Sequence, residues 1–278
     1  MSAADALRRA MIGEVRSFFH DTARGDAPVI RSDDALLPRD CVAWRVHGDV
    51  MGMMIGGVSA LLLQMLHPAA LAGVWDFSNF REDMHGRLRR TARFIALTTY
   101  AQRDDAEAAI ARVKAIHAQV QGTLPDGTPY RADDPHLLAW VHAAESLSFL
   151  AAWRRYGEPG MSRADQDRYF AETAYVAHAL GADPVPATRA EAQALLERYR
   201  PELRADARSA EVAKLVLRQP PQKLALAPVQ SLVMQAAVDL LPPWAREMHG
   251  LRVPRVAQPA FRGAARGIAG TLRWAFRG

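Results

Sequence analysis

Only one cysteine, Cys41, occurs in the 278 residues. An intramolecular disulfide, a thiolate cluster, a CxxC zinc site and a covalently attached heme of the CxxCH kind are therefore excluded, and a bound metal must rely on His or carboxylate ligands. Lysine is nearly as scarce: Lys114, Lys214 and Lys223 are all there are, although the net charge is +5. Arginines carry that charge, scattered among acids rather than gathered in blocks, so no nucleic acid is expected as a partner. Isoleucine and threonine are thin as well, while Ala, Leu, Arg and Glu dominate. Straight side chains lose little rotamer freedom in a helix, and the chain reads as all-α. No GxSxG, HExxH, helix-opening GxGxxG or GK(S/T) phosphate loop is present, which argues against the commonest hydrolase, zincin and nucleotide-binding classes. Glu82 and His85 form a Glu-x-x-His pair, but a di-iron bundle needs a second copy and there is none.

Long apolar runs are also missing. The first 19 residues have no apolar core behind their charges, so they do not read as a secretory signal, and the expected location is cytoplasmic. The longest stretch without an ionisable side chain, residues 50–66, is 17 residues long and broken by Gly52, Gly56, Gly57, Ser59 and Gln64. A membrane span needs roughly 20 apolar residues, so a buried core helix is the better reading.

What the chain does have is a hydrophobic half, enough for a sizeable core. The 3.6-residue periodicity predicts helices over 4–21, 47–66, 84–101, 104–121, 134–156, 163–180, 188–199, 206–218, 224–241 and 260–276. Asp104 with Glu107, Ser162 with Asp165 and Thr188 with Glu191 predict helix starts, and Gly122, Gly157 and Gly181 predict stops. Residues 123–135 combine Pro and Asp-Gly as a tight turn or short hairpin. The stretch 181–186 is the best linker candidate, but the helices beyond it are short and need a surface to pack on. One domain is therefore expected: an N-terminal helix and connection over 1–46, a helical body over 47–255, and a basic amphipathic helix over 256–278.

Few residues suggest chemistry. On the helix over 104–121, Ala109, Ile110, Val113, Ile116 and Val120 share a face with His117, so the imidazole points inward. A satisfied core histidine and a metal ligand both fit that position. On the preceding helix, Arg87, Thr91, Phe94, Ile95 and Thr98 share a face, with Arg90 at its flank. A guanidinium among core residues needs an anion or a paired acid: either Glu82 or Asp83 serves, or an anionic, iron-centred cofactor does. His67, after Gln64 at the end of the apolar helix, could face the same pocket or cap that helix through its dipole. Trp140, His142 and Glu145 lie on an amphipathic helix whose inner face is Leu138, Val141, Leu147 and Phe149, and nothing local decides what His142 does.

In order along the chain stand GGVSALLLQMLHPAALAGV, RLRRT, the His of VKAIHAQVQG, YRADDPHLLAWVHAAE and LLPPWAREMHGL. This ordered set, from about residue 50 to 251, resembles the family of MpaB-type oxygenases and rubber oxygenases (latex-clearing proteins). The resemblance implies a helical fold with a globin-like core and added C-terminal helices, in which the body over 47–255 binds heme b non-covalently. It implies His117 as the proximal iron ligand and Arg87, Arg90 and Thr91 as polar residues at the heme, with His67 a further candidate beside it. It also implies oxygenase chemistry on a small apolar, isoprenoid-like substrate with dioxygen. Latex-clearing proteins tend to carry lysine at the position of Arg90 and differ around His67, and with no secretion signal rubber itself is not the expected substrate. A heme carrier without catalysis, or a helical interaction protein, would look alike. In the last segment Phe261, Ala265, Ile268 and Leu272 form one stripe, and Arg262, Arg266, Arg273 and Arg277 form the more polar side. Such a helix suits peripheral contact with an anionic membrane or docking on the protein itself.

Overall fold

The computed structural model describes residues 5, 8–13, 27–221 and 223–276. The helix expected over 4–21 falls largely outside them, with 8–13 helical. Two helices dominate the interior, α2 (Val50–Gln64) and α6 (Pro135–Tyr156). Both are apolar on most of their circumference, which is what a helix surrounded by others requires. They approach closely where Gly56 meets Phe149. A β-carbon at Gly56 would lie 2.7 Å from Phe149 Cδ1 and 3.1 Å from the Ser148 carbonyl oxygen. Nothing larger than hydrogen fits there, so this glycine sets the spacing of the central pair.

Around this pair, α10 (Ala227–Leu240) and α12 (Gln258–Phe276) pack on α2, and α8 (Arg189–Arg198) packs on α6. On the other side α1 (Val42–His47), α4 (Met84–Tyr100), α5 (Arg103–His117) and α7 (Arg163–Leu180) form a second layer. Short α3 (Pro68–Phe77), α9 (Ala207–Leu217) and α11 (Pro243–Met248) complete the fold. The protein is all-α, its two-stranded hairpin β1 (Gln121–Thr123) and β2 (Pro129–Arg131) apart. No described helix is long and apolar enough to cross a membrane, and α2 and α3, long enough together, meet at 105°.

Local signals explain most boundaries. Ser162 and Thr188 accept from the Asp165 and Glu191 amides as expected, and Gly181 closes α7 at φ 102°, a conformation that suits glycine. The start of α5 differs: its N-cap is Gln102, and Asp104 and Asp105 sit in the first turn, where they oppose the helix dipole instead of capping. That helix also ends at His117, short of Gly122, because residues 121–123 are taken by the hairpin. Ile116, expected inward, is 52% exposed; the buried line of α5 runs through Ala106 and Ile110. Helices α1, α3 and α11 were not anticipated, being too short for periodicity to reveal.

The last helix docks on the body of the protein. Phe261, Ala265 and Ala269 are buried, and three of the arginines expected on its polar side are bonded inward, while Arg277 lies outside the described residues. Arg262 forks onto Asp239 at 2.7 and 2.8 Å, Arg273 reaches Asp49 at 2.8 Å, and Arg266 donates to the Arg155 carbonyl. Long arginine stems allow this, since they carry a charge from a helix flank to a buried acid.

Candidate functional site

The two layers do not close on each other. Between them lies a cavity of about 690 Å³ with walls from α2, α4, α5, α6, α7, α10 and α12. Most of its surface is aliphatic or aromatic, as at Val58, Leu61, Phe94, Val233 and Ile268. Its size falls in the range of roughly 300–1,000 Å³ typical of ligand and cofactor sites.

Four of the five residues singled out from sequence line this cavity. Arg87 and Thr91 stand one turn apart on α4, with Arg90 between them, and His117 closes α5. The Arg87 side chain makes no hydrogen bond or ion pair with any described residue. Burial first, and then the neighbouring charge of Arg90, pushes its guanidinium down to about 10, so it is still a cation at neutral pH. Arg90 is different: it is nearly half exposed, donates to Asn79 at 3.2 Å and lies 3.5 Å from Asp83, as an ordinary rim arginine does. Thr91 donates back to the Arg87 carbonyl.

His117 also makes no side-chain hydrogen bond among the described residues. Burial holds its imidazole below the usual histidine range, with Asp133 pulling weakly the other way. The ring is therefore neutral at physiological pH, with a lone pair free for a metal. Asp133 is held by a two-pronged bond from Arg131, at 2.9 and 2.8 Å, so the carboxylate acting on His117 comes from the hairpin that cuts α5 short.

His67 is placed elsewhere. It is buried away from the cavity, as the N-cap of α3, accepting from the Ala69 amide, and its Nε2 lies 3.4 Å from Glu202. The cause is the sharp break before Pro68: the chain turns from α2 into a new helix, and the imidazole follows that helix's N-terminus. The expected capping of the end of α2 through its dipole does not occur: Met65 stands at that end, and His67 instead accepts at the start of α3.

The opposite wall holds a residue that sequence reasoning left without a role. Glu145 on α6 lines the cavity, partly buried, and desolvation pushes its carboxyl up from 4.5 to about 7. The signal was present: Leu138, Val141, His142, Glu145 and Phe149 all line the cavity and follow helical spacing. Because the folded protein holds this proton more tightly than the unfolded chain, the stabilising contribution is complete below about 4.5 and is lost as pH rises through about 7. Relative to Glu145→Gln, the native protein should lose on the order of 3 kcal/mol between those limits, at about 1.4 kcal/mol per pH unit. Urea unfolding of both proteins at pH 5 and pH 8 measures it; a gap that does not change with pH would show the carboxyl to be solvated.

Fold and site together define a helical protein built around an apolar cavity that presents the imidazole of His117 and the guanidinium of Arg87. A family model described as "ER-bound oxygenase mpaB/B'/Rubber oxygenase, catalytic domain" matches residues 44–274, and the chain belongs to that family. Comparison with curated proteins and with solved structures returned no match.

Proposed function

We propose that this chain is a heme b-dependent oxygenase that uses dioxygen on a small apolar substrate. The observation that carries the reading is the pairing, in one apolar cavity, of a half-buried cation without a counter-ion and a neutral imidazole without a hydrogen-bond partner among the described residues. A guanidinium left unpaired at an apolar wall calls for an anion, and an imidazole without a bond there calls for a metal or a donor.

Heme b meets both demands. Among the described residues no group of three or more His, Cys, Asp or Glu could hold a bare metal ion, whereas a heme brings its own equatorial donors and asks the chain for an axial one. His117 would supply that ligand, and Arg87 would bind a propionate, for which its planar fork is suited. The bound heme would supply the activation of dioxygen. The chain's own part is to fix orientation through these two residues and to keep water out with the aliphatic wall. Family membership supports oxygenase chemistry; the heme and the apolar substrate rest on the cavity and its two free groups.

The test is an absorption spectrum with a pyridine hemochrome assay on protein expressed with adequate iron and heme precursor. About one heme per chain is expected, and oxygen uptake with a lipophilic alkene then separates an oxygenase from a heme carrier. No heme after reconstitution would overturn the reading. Arg87→Ala is expected to lose heme faster to apomyoglobin, a standard acceptor, or to slow oxygen uptake; normal behaviour in both assays would remove Arg87 from the site.

A further inference from the structure

The cavity has a second polar station, on α6, that neither His117 nor Arg87 needs. His142 and Glu145 stand one turn apart and both line the cavity. The Glu145 side chain has no hydrogen bond and no ion pair among the described residues. Arg87 and His117 stand on α4 and α5, whereas this pair stands on α6. The two stations are thus separate parts of one void. His142 Nε2 is buried without a partner, its Nδ1 lies 3.5 Å from Ser146 Oγ, and burial pushes the imidazole down to about 4, leaving it neutral. Nearby polar groups are already engaged: His47 is held between Thr99 at 2.9 Å and Tyr169 at 3.0 Å and belongs to the wall.

Two unsatisfied polar groups on one turn of a mostly apolar wall are an expense that a hydrocarbon ligand would never repay. A ligand that covers either group without bonding it incurs a penalty of about 1–3 kcal/mol. A heme carboxylate is the poorer occupant, because Arg87 offers it an opposite charge whereas Glu145, once ionised, repels it. A neutral oxygen function is the right one: a protonated carboxyl donates to it, and a neutral imidazole donates or accepts.

We propose that Glu145 and His142 bind the oxygen-bearing end of the substrate, which makes that substrate a lipophilic alcohol or carbonyl compound and not a plain hydrocarbon. This rests on the cavity being the substrate site of the oxygenase. Recognition by a buried donor is selective because the analogue without the oxygen leaves the donor unpaired.

The probes are 1-decanol, decanal and 1-decene, titrated by calorimetry into the purified full chain at pH 6, with heme content read from the absorption of the same sample. Decanol and decanal are expected to bind at least about tenfold more tightly than decene, the effect of one satisfied buried hydrogen bond. Glu145→Leu should abolish most of that preference, and Glu145→Gln, which keeps a donor, should retain most of it. Equal binding of the three probes by the native protein, binding of none, or a preference untouched in Glu145→Leu would overturn the proposal, and the native comparison stands even where a variant fails to fold. A chain that carries heme but does not discriminate would sink this inference alone; one that discriminates but takes up no heme would sink the heme reading alone.

Discussion

Protein carrying His117→Ala is expected to be purified without stoichiometric heme and with an unchanged helical circular dichroism spectrum. Both halves follow from position. The ring ends α5 and touches the cavity without a hydrogen bond, so its loss removes no internal bond, and Ala106 and Ile110, which seat the helix, are untouched. The other described histidines near it are placed differently, His85 bonding the Pro220 carbonyl at 3.1 Å. His67 caps α3 outside the cavity, and His47 is bonded at both ring nitrogens. His142 lies on the opposite wall, next to Glu145. Heme retained by the variant at the native ratio, with the native spectrum, would show that His117 is not the ligand. Loss of helix together with heme would instead make it a structural residue.

Asp239→Ala is expected to cost about 2–4 kcal/mol of stability, seen as a lower urea midpoint at constant slope. The side chain of Asp239 is wholly buried near the end of α10 and receives Arg155 from α6 at 2.8 Å and Arg262 from α12 at 2.7 and 2.8 Å. Arg246 of α11 donates to its carbonyl at 3.2 Å. Deleting the carboxylate leaves guanidiniums facing each other across the junction of four helices. The arginines are about a third exposed or less, so solvent screens part of the penalty, and the expected cost sits toward the lower end of that for a fully buried pair. Asp239→Asn, which keeps shape and loses charge, should fall between. The effect should reach the cavity as well, since α10 and α12 supply Val233, Met234, Ile268 and Leu272 to its wall. A loss of less than about 0.5 kcal/mol would reduce the cluster to a surface-type ion pair.

Neither Asp239 nor its arginines stand out in the sequence. An acid at residue 239 and arginines at 155, 246 and 262 are ordinary surface residues until the helices carrying them meet. The last helix shows the same limit: the sequence leaves docking and membrane contact equally open, and it is the inward ion pairs of Arg262 and Arg273 that seat the helix on the protein. His67 shows it in the other direction, a histidine close in sequence to cavity residues that a proline turns away from them.

What the sequence determined by itself is local: the all-helical class, most helix ends through side chains such as Ser162, Thr188 and Gly181, and the inward direction of His117 and Arg87. These follow from periodicity and capping, which act within a few turns of one helix. What only the tertiary structure decided is convergence. Arg87, His117 and Glu145 lie on three successive helices, and whether they share a cavity, with which of them paired and which free, depends on how those helices cross. Crossing is set by side chains such as the missing one at Gly56, which no pattern along a single helix records.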